Sequence, residues 1–305
     1  MTTILTSLVP VFLLIALGFG LRARQFVPDL FWPAIEKLTY FVFFPALLFQ
    51  NCRRAPLDGA GSLALAMGLG VLGTAALALA ARPLVKSGPS FTSLFQGTIR
   101  PNTYVGLAAA AALYGKTGTA LTSICVAMVV PLVNLLSVLA MLGFGEGGRP
   151  KSLLAALKPV IANPLINACL LGLLSNLLFL PLPLAAERFL DILASASLPI
   201  GLLAVGAGIE VSALSKAGAP VFVSSALKLA VLPLLTFGLL KLFGLSGEAL
   251  AAALLYATLP CSATSYVLAR QMGGDAPLMA SIISVQTLLS MLSMPLLLMS
   301  FGLSP

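Results

Sequence analysis

The stretch TIRPNTYVG, residues 98–106, and the stretch ATLPCSATS, residues 257–265, each place a proline near the middle of an apolar segment that could cross a bilayer. A proline within a helix has no backbone N–H to donate, and its ring displaces the carbonyl four residues earlier. Pro101 and Pro260 are therefore expected to break their helices at about mid-membrane depth, leaving the Gly97 and Tyr256 carbonyls without partners. Broken helices at corresponding places in two halves of a chain typically mark a transporter's substrate site.

The two halves of the chain match around these breaks. One constant shift in numbering brings four identical pairs together: Pro101 with Pro260, Gly115 with Gly274, Ile124 with Ile283, and Val126 with Val285. Further upstream, FFPALLF around Pro45 matches SLPIGLL around Pro199 at a slightly smaller shift, which one difference in loop length would produce. A chance match of common residues is the alternative, but the kept spacing favours an internal duplication.

Composition decides the class of protein. Hydrophobic residues make up 59% of the chain and charged residues 9%, and the mean hydropathy is +1.08. A water-soluble domain is far less apolar. Long unbroken apolar runs indicate helical spans, whereas a β-barrel would show short alternating segments. We therefore predict an all-α polytopic membrane protein.

The apolar runs predict ten transmembrane helices. They lie at about 3–21, 32–50, 61–81, 92–113, 118–142, 160–179, 188–208, 218–240, 249–269 and 277–301. Residues 1–142 would form a first five-helix repeat and residues 160–305 a second, joined by a cytoplasmic linker at 143–159. Because five is an odd number, the two repeats are expected to be inverted, with the broken fourth and ninth helices crossing.

Loop charges predict the orientation. The N-terminal stretch has no basic region before its apolar run, and Arg22 and Arg24 follow that run, so it indicates an uncleaved span rather than a signal peptide. With the N-terminus outside, the cytoplasmic loops carry more Arg and Lys than the outer loops, as the positive-inside rule requires. We expect a multi-pass protein of the cell (inner) membrane with both termini outside.

The residues that are absent exclude several function classes. The chain has no histidine, which argues against a zinc site of the HExxH kind and against a Ser-His protease. Its nine acidic residues lie mostly at span ends, and no phosphate-binding glycine loop occurs. We predict no enzyme activity, cofactor or metal. The net charge of +8 is scattered over short loops, so the expected surroundings are a lipid bilayer and not nucleic acid.

Each break starts a half-helix whose N-terminus points toward the membrane centre. The backbone amides at these two ends belong to Asn102, Thr103 and Tyr104, and to Cys261, Ser262 and Ala263. Two positive dipole ends that converge suit a carboxylate, and the carbonyls before each proline suit a cation or water. The Asn102 side chain could donate to the same anion. The alternative is a pair of ordinary kinks, in which Asn102 pairs with freed backbone groups.

Other polar residues at depth carry two readings each. Lys228 lies near the centre of the eighth span, where a charge is costly and usually functional, although lysine can also snorkel. Arg100 could attract an anion or reach the cytoplasmic interface. For Asn134, an inter-helix hydrogen bond is favoured over a ligand contact. The same interpretation applies to Gln286 and Thr287.

Four stretches in order resemble the auxin efflux carrier family, which includes plant auxin exporters and bacterial carriers of malonate and similar acids. These stretches are TYFVFFPALLFQ (39–50), RPNTYVGLAAAAALYGKTG (100–118), NPLINACLLGLL (163–174) and LPCSATSYVLARQMGGD (259–275). The resemblance implies a fold similar to the sodium/bile acid symporters, with a scaffold of the first, second, sixth and seventh spans. It also implies a transport domain that contains the crossover and moves like an elevator.

The resemblance assigns some of the site and leaves other parts open. It places the family's crossover prolines at Pro101 and Pro260 and its crossover asparagine at Asn102. Plant members are richer in asparagine where Cys261 and Ser262 stand, which argues against an auxin-like substrate. A comparable lysine in plant members faces an acid on the third span, which has none here. Lys228 could then be neutral, pair with substrate, or substitute for the sodium of related symporters.

The resulting prediction is a carrier of small organic anions that works by alternating access. Its expected substrate-binding residues are Pro101, Asn102, Thr103, Asn134, Pro260, Cys261 and Ser262, with Arg100 and Lys228 as charge support. The alternatives are a sodium-coupled symporter of the bile-acid type, a channel, or a membrane receptor that transports nothing. The identity of the anion, the coupling ion, the direction of transport and assembly as a homodimer stay open.

Overall fold

A computed structural model describes residues 2–55, 57, 60–146, 162–210, 212 and 218–303. Within these ranges every regular element is a helix. In chain order the α-helices are α1 (Thr2–Ala23), α2 (Phe31–Leu38), α3 (Phe44–Arg53), α4 (Ala60–Ala80), α5 (Gly88–Ile99), α6 (Thr103–Phe144), α7 (Pro164–Leu177), α8 (Leu184–Ala207), α9 (Ala219–Ala226), α10 (Leu232–Leu242), α11 (Gly247–Ala257), α12 (Thr264–Met272) and α13 (Ala276–Ser300). Most of the predicted linker, from residue 147 onward, lies outside the described residues.

Six stretches in the described part of the chain are long and apolar enough to cross a membrane. They are α1 from Ile4, α4, α6, α8, the continuous stretch Ala219–Leu242 and α13. The other predicted spans fall on shorter pieces: 32–50 on α2 and α3, 92–113 on α5 and the start of α6, 160–179 on α7, and 249–269 on α11 and α12. The chain is thus a multi-pass helical membrane protein.

Both predicted breaks are present. α5 ends at Ile99 and α6 begins at Thr103, and α11 ends at Ala257 before α12 begins at Thr264. A third departure occurs at Gly115 within α6, where φ is +59°. Only glycine adopts this conformation at little cost, and Gly115 lies between the predicted fourth and fifth spans.

Two wide helical turns each come just before a proline. π-helical segments at Thr39–Phe43 and Leu227–Val231 join α2 to α3 and α9 to α10. The N–H groups of Phe44 and Leu232 bond to carbonyls five residues back, and Pro45 and Pro233 follow them. Because the proline ring would clash with the carbonyl four residues earlier, a widened turn accommodates it.

The helices pack as two bundles. The first contains α1, α2, α3, α7 and α8, and the second contains α4, α5, α6 and α9 to α13. The first bundle comprises the spans that the family resemblance assigned to a scaffold. α1 and α8 approach closely at Gly18 and Gly206, where an added Cβ would meet the Leu203 and Ile15 carbonyls. α6 provides most of the contacts between the bundles, including Tyr104, whose ring lies 4.3 Å from that of Phe44 between centroids.

Candidate functional site

The two breaks meet each other directly. Pro101 and Cys261 form an isolated antiparallel β-bridge. The Asn102 amide donates to the Pro260 carbonyl at 2.8 Å, and the Ser262 amide donates to the Arg100 carbonyl at 3.2 Å. A residue before proline favours the extended conformation, and Arg100 adopts it with φ −81° and ψ 116°. The backbone groups that each break leaves without a helical partner thus bond to the other break. The two broken helices meet at this point.

This pairing corrects one prediction about the crossover. The backbone amides of Asn102, Cys261 and Ser262 were expected to face an anion. Two of them bond across the crossover, and the Cys261 amide donates to the Gln286 side-chain oxygen at 2.9 Å. Buried backbone donors are almost always paired. These three amides therefore donate to protein acceptors and are not free to bind an anion.

Gln286 on α13 holds both breaks in place. Its amide nitrogen donates to the Gly97 carbonyl at 3.1 Å and to the Ser224 hydroxyl at 3.2 Å, while its oxygen accepts from Cys261. The Gly97 carbonyl, which the sequence predicted to be free for a cation or water, is therefore paired. The inter-helix role considered for Gln286 is confirmed, but its partnership with the crossover could not be predicted from the sequence. The sequence signal for a role of Gln286 was a glutamine within an apolar span, where a polar side chain needs a partner. The structure shows that this side chain is buried.

Asn102 is fully buried and caps α6. Its side-chain oxygen accepts from the Val105 amide at 3.4 Å, as expected for asparagine at a helix N-cap. Its side-chain nitrogen has no hydrogen-bond partner among the described residues. The cap agrees with the alternative in which the break is an ordinary kink and Asn102 pairs with freed backbone groups. The unpaired side-chain nitrogen agrees with a ligand contact, which needs a free donor. The expected contact between Asn102 and an anion therefore stays a prediction.

A cavity adjoins the crossover between the two bundles. Its inner chamber of about 40 Å³ is lined by Pro101, Thr103 and Ser262. Its outer chamber of about 630 Å³ continues between α2 and the start of α7 on one side and α6 and α12 on the other. Tyr40, Arg100, Asn134, Asn163 and Thr264 line both chambers. A volume of this size is typical of a small-molecule site.

The cavity brings together part of the predicted site. Arg100, Pro101, Thr103, Asn134 and Ser262 line it, whereas Asn102, Pro260 and Cys261 lie buried behind this lining. The sequence missed several contributions from other helices. Tyr40, Asn163 and Thr264 line both chambers, and Glu36, expected near a span end, is half-buried at the outer one. In the sequence, the signal for these positions was a polar residue close to the end of an apolar helix or within its wide turn.

Arg100 is the main charged group of the inner chamber. Its exposed fraction is only 9%. One terminal nitrogen donates to the Asn134 side-chain oxygen at 2.8 Å, and the other donates to the Thr264 hydroxyl at 3.1 Å. Its Nε has no partner within the described ranges, and none of the ion pairs found there involves it.

The partners of Arg100 orient the guanidinium without neutralising it. Arginine stays protonated in proteins and carries five N–H donors. Asn134 and Thr264 use two of these donors and supply no negative charge. A buried cation without a counter-charge is costly, because the surrounding medium has a low dielectric constant. The inner chamber is therefore electrostatically suited to an anion, and Asn134 is a positioning residue for the cation.

Lys228 lies on the other side of the crossover. It is 1% exposed within the π-helical turn, and it lines a separate cavity of about 10 Å³ that also touches Pro101. The described residues include no ion-pair partner for it. Two cations thus flank Pro101, but only Arg100 faces the large cavity.

Comparison with known proteins is consistent with this arrangement. The family model described as membrane transport protein matches residues 3–298. A relative from Methanothermobacter thermautotrophicus, described as an uncharacterized transporter, is 26% identical over 296 residues, which cover 95% of this chain and 96% of the relative. Both matches point to a membrane transporter rather than an enzyme. The chain therefore belongs to the membrane transport protein family, the auxin efflux carrier family that its sequence motifs resemble.

Proposed function

We propose that this protein is a secondary carrier of small organic anions and that Arg100 binds the substrate's carboxylate. The observation that carries the proposal is a buried guanidinium at the inner end of a cavity of about 630 Å³, for which the described residues provide no acidic partner. Two of its five donors are occupied by Asn134 and Thr264, so donors remain for a carboxylate. Hydrogen bonds between arginine and carboxylate are charge-assisted and stronger than neutral ones.

Hydroxyl groups beside Arg100 would complete the site. The Ser262 and Thr264 hydroxyls lie 2.9 Å apart, and both line the inner chamber. One of these hydroxyls donates to the other, so the pair keeps one O–H that can donate to a carboxylate oxygen held by the guanidinium. The malonate-like acids suggested by the family resemblance carry a second carboxylate, which would extend into the outer chamber. We therefore favour small dicarboxylates over an indole acid, in agreement with the departure at Cys261 and Ser262.

The division of the cavity lining supports alternating access. Arg100, Asn134 and Thr264 all belong to the second bundle, whereas Tyr40 and Asn163 belong to the first. A movement of the second bundle against the first would carry the anion-binding groups together. We propose that this is an elevator movement and that the ten spans form two inverted five-helix repeats. Broken helices that cross at the site are the expected centre of that design.

The orientation and assembly belong to the same proposal. The outer chamber lies beside Pro33, Ala162 and Gln271, near the helix ends that the positive-inside rule places in the cytoplasm. The cavity would then face inward, in the cell membrane, with both termini outside. The proposed partners are the organic anion and the lipid bilayer. Because the first bundle would stay static during the movement, assembly of two chains as a homodimer is compatible with it.

The decisive experiment measures anion transport in proteoliposomes. We expect saturable uptake of a dicarboxylate such as malonate and exchange of internal for external substrate. In Arg100→Gln the affinity should fall at least tenfold, because a charge-assisted hydrogen bond contributes about 1.5–3 kcal/mol. Arg270→Gln is the matched control, since Arg270 is an exposed arginine at the end of α12.

Four results would count against the proposal. Wild-type affinity in Arg100→Gln would place the anion elsewhere. Flux that neither saturates nor exchanges would indicate a channel, and the absence of transport with retained binding would indicate a receptor. Uptake driven by a sodium gradient would instead favour a symporter of the bile-acid type.

A further inference from the structure

Three buried polar groups line the small cavity beside Lys228, and two of them have no hydrogen-bond partner among the described residues. The Lys228 side chain, the Thr236 hydroxyl and the Tyr256 hydroxyl all line this cavity. Thr236 and Tyr256 are 0% and 1% exposed, and neither hydroxyl has a hydrogen-bond partner among the described residues. The Tyr256 hydroxyl lies near the Thr103 side chain but makes no hydrogen bond to it. A fully buried polar group without a partner is rare and calls for an explanation.

The chemistry of the lining favours a negative occupant. A lysine ammonium has three N–H donors and no acceptor, and each hydroxyl can donate one hydrogen bond. No acidic residue lines this cavity within the described part of the chain, and its remaining walls are mainly apolar, for example Val71 and Leu232. A buried ammonium without a counter-charge carries a large desolvation cost, which a bound anion would offset.

The size of the cavity limits the occupant to a very small one. Its volume is about 10 Å³, near the minimum that holds one water molecule, so a monatomic ion is the largest occupant that it could take with little movement of its lining. A carboxylate does not fit. Pro101 lines this cavity on one side and the large cavity on the other, so the crossover backbone separates the two sites. The proposed carboxylate at Arg100 therefore cannot serve as the counter-ion of Lys228 without moving the crossover.

We propose that this cavity is a halide site, in which a single chloride ion binds between Lys228, Thr236 and Tyr256. The inference goes beyond the proposed function and does not rest on it. The three groups come from the π-helical turn before α10, from α10 itself and from α11. α4 contributes Val71, and its Gly70 lets the Thr236 hydroxyl approach closely. Chloride would thus link the helices that surround the crossover and stabilise the second bundle.

The test is thermal unfolding of the purified protein at constant ionic strength, with chloride titrated against gluconate. Anything that binds only the native state raises the unfolding temperature by mass action. We expect a saturable rise with chloride and with bromide, and none with sulfate, which is too large for the cavity. In Lys228→Met the half-saturating chloride concentration should rise at least about tenfold. Lys241→Met, which removes an exposed lysine of α10, should behave like wild type.

Further variants locate the ion. Thr236→Val keeps the shape of the side chain and removes one donor, so it should weaken the chloride effect even if Lys228→Met does not fold. Arg100→Gln should retain the effect. A loss in Arg100→Gln with retention in Lys228→Met would place chloride in the large cavity and overturn the proposal. Equal unfolding temperatures of the wild type in chloride and gluconate would also overturn it and would favour a water molecule.

The two proposals can fail separately. Binding of malonate is measured in gluconate, without chloride, and the chloride titration is done without malonate. A chloride effect without malonate binding would leave the halide site standing and remove the proposed function. Malonate binding without a chloride effect would leave the proposed function standing and remove the halide site.

Discussion

At the scale of single residues, partners decide what a polar group does. Arg100 and Lys228 are both buried cations on either side of Pro101. Arg100 is oriented by Asn134 and Thr264 and faces a cavity of small-molecule size. Lys228 faces a space of about 10 Å³, near the minimum that holds one water molecule. The two positions looked alike in sequence, and only their neighbours show that they face different cavities.

Asn102 has two separable roles that substitutions can distinguish. Asn102→Ala removes the N-cap of α6 and should cost about 1 kcal/mol of stability. Asn102→Ser keeps a capping oxygen and should stay within a few tenths of a kcal/mol of wild type, near the spread among good caps. If the unpaired side-chain nitrogen donates to the substrate, both variants should lose at least about tenfold in anion affinity. The measurements are thermal unfolding and malonate binding.

The serine variant is the decisive one. Normal malonate affinity in Asn102→Ser, together with normal stability, would contradict a ligand contact and leave capping as the whole role of Asn102. A loss of affinity only in Asn102→Ala would have the same meaning, because the effect would then follow the cap.

At the scale of the element, close approach of helices depends on which face a glycine occupies. Gly18 and Gly20 lie two residues apart in α1. An added Cβ at Gly18 would meet the backbone of Leu203 in α8, whereas one at Gly20 would meet nothing within 4 Å. The sequence treats the two glycines alike, and only the packing of α1 against α8 separates them.

This difference predicts opposite outcomes for matched substitutions. Gly18→Ala should destabilise the protein by about 1–3 kcal/mol, because backbone atoms of two helices must move apart. Gly20→Ala should be neutral or slightly stabilising, since alanine is favoured over glycine by up to about 1 kcal/mol in a helix. Thermal unfolding in detergent measures both. Equal destabilisation by the two substitutions would mean that α1 and α8 do not approach as described.

At the scale of the whole molecule, orientation can be tested with single cysteines. The four native cysteines are all buried and free, so they can first be replaced. A cysteine at Lys116 should react with an impermeant thiol reagent outside intact cells, and one at Arg270 should not. Both positions are exposed in the fold, so access to the reagent reports the side of the membrane. The opposite labelling pattern would invert the proposed topology.

Energetics is a second property of the whole molecule. Export of an anion moving alone should use the inside-negative potential, which supplies about 2.3 kcal/mol per charge per 100 mV. An outward substrate gradient in liposomes should then create a potential, and a potential imposed with potassium and valinomycin should change the flux without sodium or proton gradients. If Lys228 supplies compensating charge to the anion without moving a proton, Lys228→Met should reduce transport without creating sodium dependence.

Proton coupling would give a different result. Glu36 is a half-buried carboxylate at the outer chamber. Electroneutral transport that collapses with the proton gradient would contradict the potential-driven mechanism, and loss of that dependence in Glu36→Gln would identify Glu36 as the proton-binding group.

The sequence by itself determined the helical membrane class, the positions of both breaks and the family. These properties are local: apolar runs set the spans, and a proline breaks its own helix whatever surrounds it. Only the tertiary structure decided that the breaks pair with each other, that Gln286 holds them, and that Arg100 and Lys228 face different cavities. Hydrogen bonding and burial join residues far apart in the chain, so a residue's type gives its donors and acceptors but not the partners it meets.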